Sequence, residues 1–140
     1  MNEKLIIYTD GGARGNPGPA ACAAVIKDSS GRIIVKGSKY LGETTNNQAE
    51  YQGVILALEK AGELKAQEII FYLDSELVVN QLSRLYKVKD LGLQSLFVKI
   101  WNLSSQFKNI SYHHVPREEN KEADLLVNRQ LDEVAAKRKA

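Results

Sequence analysis

Two short apolar runs that each end in an aspartate decide the fold: Leu5-Ile6-Ile7-Tyr8-Thr9-Asp10 and Ile69-Ile70-Phe71-Tyr72-Leu73-Asp74. Such near-continuous apolar runs are typical of strands that are buried on both faces. A right-handed crossover connection between them would place the two strands parallel and adjacent in one sheet. Asp10 and Asp74 would then lie at the same edge of the sheet, where open α/β sheets hold their functional sites.

The rest of the chain completes an α/β domain with a mixed five-stranded sheet. The stretch 11–19 contains four glycines and two prolines and is predicted to be a loop. The other predicted elements are a hairpin (20–28 and 32–40), a last strand (110–115) and helices over 45–64, 75–85, 91–107 and 120–136, the last with Asn120 as its N-cap. This order predicts three antiparallel strands followed by parallel strands, with helices on both faces.

Composition bounds the class of protein. A chain of 140 residues fits one domain, which we take to span residues 1–140. The single cysteine, Cys22, excludes an intramolecular disulfide framework and any zinc site with several cysteines. The longest strictly apolar run, residues 20–26, is far too short for a membrane span, and the first residues lack a signal-peptide core. We therefore expect a soluble, cytoplasmic protein; its net charge of +2 is too small to indicate nucleic-acid binding by itself.

Two more acids, Glu50 and Asp124, lie on helical faces that are otherwise apolar. The residues on the same faces are Val54, Ala57, Leu58 and Ala61 for Glu50, and Val127, Leu131 and Ala135 for Asp124. A charge on a core-facing stripe costs several kcal/mol unless it is paired, binds a metal or borders a wet cleft. Two explanations without a functional site stay open. The helix dipole favours an acid in the first turn of a helix, and an aspartate at the end of a strand often forms a turn.

Four carboxylates that converge on one cleft repel each other, and either protonation or divalent cations relieve the repulsion. Oxygen ligands without cysteine select magnesium or manganese. Pairs of such ions catalyse in-line hydrolysis of phosphodiesters. The pattern therefore predicts a metal-dependent phosphodiesterase with Asp10, Glu50, Asp74 and Asp124 at its centre.

Four segments, in order and spread over nearly the whole chain, resemble type 1 ribonuclease H. They are residues 8–18 (Tyr-Thr-Asp-Gly-Gly-Ala-Arg-Gly-Asn-Pro-Gly), 45–50 (Thr-Asn-Asn-Gln-Ala-Glu), 73–75 (Leu-Asp-Ser), and the stretch from His114 through Asn120 to Asp124. The resemblance implies the ribonuclease H-like fold and a catalytic set of the four acids holding two magnesium ions, with manganese as a substitute. It further implies internal hydrolysis of the RNA strand of RNA–DNA hybrids that leaves 5′-phosphate ends.

The resemblance also points to His114, which lies ten residues before Asp124, where the family places a histidine in a mobile loop. A histidine with a pKa near neutrality suits proton transfer or product release. Alternation along the strand sends His113 and His114 to opposite faces, so at most one of them points at the cleft. A plain surface position for His114 stays open as an alternative.

A group of polar residues beside the acids forms the predicted substrate-binding set. It consists of Gly11, Asn16, Thr45, Asn46, Asn47 and Gln48. Amide side chains both donate and accept hydrogen bonds, which suits recognition of 2′-hydroxyl groups and of the minor groove. Glycine lets a backbone or a substrate approach closely. Turn formation and helix capping are the alternatives for Asn16, Thr45 and Asn46.

The chain departs from the family after its second helix. Many relatives carry a long basic protrusion with tryptophan there, whereas residues 84–90 are short and contain only three bases. Trp101 follows an apolar helical pattern and is predicted to be a core residue. Binding of the hybrid should therefore rest on few phosphate contacts and be sensitive to salt. Two alternative functions remain: a related nuclease that also cuts double-stranded RNA, and a catalytically silent hybrid-binding module. We expect a monomer with no obligate protein partner.

Overall fold

The order of elements predicted from the sequence is the order that the computed structural model has. The structure describes residues 3–139, with side chains to residue 138. Its elements are β1 (Lys4–Ala13), β2 (Gly18–Lys27), β3 (Ile33–Thr44), α1 (Asn46–Glu63), β4 (Glu68–Leu73), α2 (Glu76–Leu82), α3 (Leu91–Ser104), β5 (Asn109–His114), a one-turn 3₁₀ helix (Arg117–Glu119) and α4 (Lys121–Lys139).

The five strands form one mixed sheet in the order β3-β2-β1-β4-β5. The pairs β1–β2 and β2–β3 are antiparallel. The pairs β1–β4 and β4–β5 are parallel. Since β1 and β4 are paired up to Tyr8 and Tyr72, the aspartates two residues further along both strands lie at the same edge. The predicted fold class is confirmed.

Helices cover both faces of the sheet, as predicted. On one face, α1 buries Tyr51, Val54 and Leu58 in the same cluster as Ile7 and Phe71. On the other face, α4 places Val127 and Leu131 against two alanines of β2. Each large apolar side chain that is fully buried contributes roughly 1.5–3 kcal/mol of transfer free energy. The central strand β1 is therefore held from both sides.

The prediction of a loop over 11–19 is wrong at both of its ends. Gly11 and Gly12 belong to β1 and pair with Cys22 and Ala21 of β2, so that only residues 14–17 connect the two strands. The residue at this position of the strand is a glycine because α1 passes close over it. A Cβ atom added at Gly11 would lie 2.1 Å from the carbonyl oxygen of Ala49. The glycine serves helix–strand packing and not a turn.

The connection between α2 and α3 also differs from its prediction. Helix α2 ends at Leu82 instead of residue 85, and Arg84 adopts a left-handed backbone with φ 63°. Trp101 is 52% exposed and is not a core residue, because α3 turns Leu93 and Ile100 towards the core. The guanidinium of Arg84 lies over the Trp101 ring, 4.7 Å from its centroid.

Among residues 3–139, no helix combines the length and apolarity that a bilayer span requires.

Candidate active site

Three of the four predicted acids converge at the carboxyl edge of the sheet. Asp10 lies in β1, Asp74 follows β4 directly, and Glu50 lies in the first half of α1. One carboxylate oxygen from each of the three is within 4.8 Å of the others. Asp10 and Glu50 are buried and Asp74 is half-buried. The two parallel strands and the helix that crosses them therefore bring together acids from distant parts of the chain.

The position of Glu50 follows from how α1 begins and how closely it packs. Thr45 caps the helix, its hydroxyl accepting a hydrogen bond from the backbone N–H of Gln48 at 3.1 Å. Gly53 lets the helix lie against β1, since a Cβ there would be 2.8 Å from the carbonyl oxygen of Asp10. The backbone N–H of Gly11 then donates to Oε1 of Glu50 at 2.6 Å. That hydrogen bond fixes one carboxylate oxygen.

Burial makes the acid cluster unfavourable in its ionised form. The pKa of Asp10 is raised to about 7, first by burial and then by the charges of Asp74 and Asp124, while hydrogen bonds with Glu50 and Gly11 oppose the rise. The pKa of Glu50 is raised well above its usual value, again first by burial and then by Asp10. Without a cation, burial and mutual repulsion therefore favour the protonated forms of Asp10 and Glu50.

The residues fit a hard divalent cation. All donors in the cluster are carboxylate oxygens, the ligands that magnesium and manganese prefer. Oε2 of Glu50 is buried and has no hydrogen-bond partner within the described part of the chain. A cation would give that oxygen a partner and would replace the proton that the raised pKa values retain. The triad is thus a candidate divalent metal site.

Asp124 stays outside this triad. It lies in the first turn of α4 and is half-buried, and its negative charge helps to raise the pKa of Asp10. Of the apolar residues predicted on its helix face, Val127 and Leu131 are buried, but Ala135 is exposed. The buried apolar face of α4 is therefore shorter than predicted.

Asn120 belongs to the site and was not predicted there. It precedes α4, where we expected an N-cap, yet its side chain does not bond to the helix. Its Nδ2 donates instead to the carbonyl oxygen of Thr9 and to Oδ2 of Asp74. Asn120 lies in a segment that carries the family resemblance, but as an asparagine before a helix it was interpreted as a cap.

Both histidines are exposed at the end of the edge strand β5. His113 packs beside Tyr72, with 5.6 Å between ring centroids, and its Nε2 is 3.0 Å from the hydroxyl of Ser111. His114 is in register with Leu73, the residue before Asp74. The two therefore occupy opposite faces, as alternation requires. His114 is near the carboxyl edge, and its role stays a prediction.

The predicted substrate-binding residues surround the start of α1, and several already have partners. Oδ1 of Asn16 accepts from the backbone N–H of Asn46 at 3.0 Å. Oδ1 of Asn46 accepts from the N–H of Ala13 at 2.8 Å. The Gln48 side chain is hydrogen-bonded to the Thr44 hydroxyl. These bonds, with the cap of Thr45, support the turn and capping alternatives.

Asn47 differs from its neighbours. Within residues 3–139, its half-buried side chain takes part in no hydrogen bond of the structure. By contrast, the backbone N–H of Gly11 already has a partner, because it donates to Glu50. Of the predicted set, Asn47 is therefore the residue whose amide is most available to a ligand.

A protein-family model described as "Reverse transcriptase-like" matches residues 8–130. Among curated proteins, the chain is 44% identical over 133 residues to "Bifunctional protein Rv2228c" of Mycobacterium tuberculosis. The match covers 94% of this chain and 36% of that protein, so the chain spans about a third of its relative's length.

Two solved structures are similar over nearly their whole length. The N-terminal ribonuclease H domain of the same mycobacterial protein, solved as a fusion with maltose-binding protein, superposes with a TM-score of 0.92 at 43% identity. That match covers 98% of this chain and 99% of the other. LC11-RNase H1, isolated from compost by a metagenomic approach and solved in complex with an RNA/DNA hybrid, has a TM-score of 0.90 at 44% identity. It covers 94% and 99% of the two chains.

Proposed function

The chain belongs to the ribonuclease H family, and from this premise we propose that it is a metal-dependent endoribonuclease that hydrolyses the RNA strand of RNA–DNA hybrids and leaves 5′-phosphate ends. The observation that carries the proposal is the triad of Asp10, Glu50 and Asp74, with oxygens within 4.8 Å of each other at the open edge of the sheet. A binding module would gain nothing from buried acids that repel a polyanion.

In this proposal Asp10, Glu50 and Asp74 hold magnesium, with Asp124 completing a site for two ions and manganese as a substitute. Bound divalent cations stabilise the negative charge that develops on phosphate oxygens during hydrolysis. The protein's own part is to hold the ligands in place. The N–H of Gly11 fixes Glu50, and because the pKa of Asp10 is raised to about 7, a cation competes with a proton for this carboxylate near neutral pH. His114, exposed at the end of β5, is proposed to move protons or to assist product release.

Recognition of RNA is proposed for the polar start of α1. The exposed or half-buried amides of Asn16, Asn46 and Asn47 lie one helical turn or less from Glu50 or in the loop bonded to that turn. Amides can bond to the 2′-hydroxyl, the group that distinguishes RNA from DNA. Gly11, Thr45 and Gln48 would support them by their backbone and capping bonds. The hybrid bound to the 44% identical LC11-RNase H1 supports the same substrate for this chain.

Cleavage of one end-labelled sequence in four forms tests the function: RNA–DNA hybrid, duplex RNA, duplex DNA and single-stranded RNA, each with and without magnesium. We expect metal-dependent cutting of the hybrid that Asp10→Asn abolishes. Asp28→Asn, the same change in the β2–β3 turn, is the matched control and should keep activity.

The other outcomes separate the alternatives. Cutting of duplex RNA as well would broaden the substrate class and leave the site unchanged. Tight binding of the hybrid without any cutting would make the protein a binding module and refute the enzymatic proposal. Monomeric state and cytoplasmic location stay predictions, which size-exclusion chromatography of the active fraction and cell fractionation would test.

A further inference from the structure

We infer that Asn120 is a positioning residue that sets Asp74 in register with Asp10 for metal binding; the inference rests on the proposed function. Asn120 touches neither the scissile bond nor, in this proposal, the metal. It acts through Asp74, whose orientation decides whether the triad can share a cation.

The side-chain amide of Asn120 joins the two central strands at their carboxyl ends. Asn120 is 1% exposed. Its Nδ2 donates to the carbonyl oxygen of Thr9 at 2.8 Å and to Oδ2 of Asp74 at 3.3 Å. Thr9 directly precedes Asp10, so one NH₂ group connects the backbone beside Asp10 to the carboxylate of Asp74.

The backbone of Asn120 adds a link to the fourth acid. Its carbonyl oxygen accepts from the N–H of Asp124 at 3.1 Å, the first bond of α4. The residue that ties Asp74 to β1 therefore also fixes where α4 begins and where Asp124 lies. One buried asparagine is therefore hydrogen-bonded to Asp74, to the backbone of Asp124 and to the residue before Asp10.

An amide suits this role better than the other common hydrogen-bonding side chains. It can donate two hydrogen bonds at once without carrying charge. A lysine or arginine there would pair with Asp74 and compete with a cation. An aspartate would place another negative charge against Asp74. A neutral donor orients one oxygen of Asp74 and leaves its charge for a metal.

Helix capping does not explain the burial of Asn120. A capping asparagine accepts a bond from a helix N–H through Oδ1. In residues 3–139, Oδ1 of Asn120 has no hydrogen-bond partner although it is buried. An unsatisfied buried acceptor is unfavourable for the folded state. The position of this side chain would therefore be unfavourable if its role were to cap α4. Its favourable contacts are the two hydrogen bonds that Nδ2 donates.

The test compares Asn120→Ala with wild type in two measurements. The first is a magnesium titration monitored by calorimetry in the absence of substrate, and the second is activity on the hybrid. We expect the magnesium concentration for half-saturation to rise about 10–100-fold, as is typical when a residue supporting metal ligands is removed. The KM for the hybrid should change little. Gln81→Ala is the matched control, because Gln81 is a buried amide that accepts from the hydroxyl of Tyr51 at 2.7 Å and, within residues 3–139, has no hydrogen bond to the four acids. It should lower the melting temperature without moving the magnesium midpoint.

Asn120→Ser, which keeps one donor, should give a midpoint between those of wild type and Asn120→Ala. An unchanged midpoint in a folded Asn120→Ala protein would overturn the inference. Failure of both variants to fold would also overturn it, since the residue would then be structural. A wild type that binds magnesium but cuts no hybrid would refute the proposed function alone, because the calorimetric comparison does not depend on cleavage.

Discussion

Replacing Asp10 by asparagine should stabilise the metal-free protein near pH 8 even though it abolishes cleavage. The folded state raises the pKa of Asp10 from 3.8 to about 7, mainly by burial. A carboxyl group whose pKa is raised by folding contributes fully below its unfolded pKa and loses that contribution as the pH rises through its folded pKa. The ionised carboxylate therefore destabilises the fold increasingly between about pH 4 and pH 7.

The size of the effect follows from the shift. About three pKa units at 1.36 kcal/mol each give an upper limit of about 4 kcal/mol. Asparagine removes the charge but still buries an amide, so we expect a gain of about 2–4 kcal/mol near pH 8 and almost none near pH 4. For a domain of this size the gain corresponds to a rise in melting temperature of roughly 5–15 °C.

Thermal unfolding in the presence of a chelator, at both pH values, measures this difference. Magnesium should raise the melting temperature of the wild type more than that of Asp10→Asn, because the cation relieves the same repulsion. Asp28→Asn is the control of opposite sign. Hydrogen bonds from Ser30 and Arg32 lower the pKa of Asp28, so its removal should destabilise the protein near pH 8 and matter less as the pH falls.

Two results would refute the reasoning. An equal gain near pH 4 and near pH 8 would mean that the stabilisation has nothing to do with ionisation. A loss of stability of Asp10→Asn near pH 8 would mean that the ionised Asp10 carboxylate stabilises the folded state instead of destabilising it.

Three further predictions follow from the same geometry. Gly11→Ala should destabilise the protein by about 3 kcal/mol or more in chemical denaturation, because the new Cβ meets the backbone of Ala49; Gly12→Ala, whose nearest atom would be 3.9 Å away, should be tolerated. The magnesium concentration for half-maximal activity should rise about tenfold per pH unit below about pH 7, since the cation must displace the proton of Asp10; a flat midpoint between pH 5.5 and 7 would contradict this. His114→Ala should slow turnover while hybrid binding changes little, and unfolding of the variant would instead assign His114 a structural role.

Sequence alone predicted the features that depend on local periodicity. Apolar runs before Asp10 and Asp74 mark two strands, and the stripe behind Glu50 has a clear helical period. The parallel pairing of those strands and the convergence of these three acids could therefore be predicted. The errors lie where a distant element decides. Gly11 belongs to a strand because β2 pairs with it, and it is a glycine because α1 passes over it. Trp101 is exposed because the direction in which α3 faces the core is set by packing.

The position of the acids explains why the stability of this fold and its metal site should be coupled. Glu50 comes from the helix on one face of the sheet, Asp124 from the helix on the other, and Asp10 from the central strand between them. Repulsion among these groups therefore acts between the layers of the domain. A bound cation would convert that repulsion into attraction between all three layers. Magnesium that binds only to the folded state should therefore strengthen the packing of α1 and α4 on β1. Slower hydrogen exchange in both helices on addition of magnesium would reveal this effect.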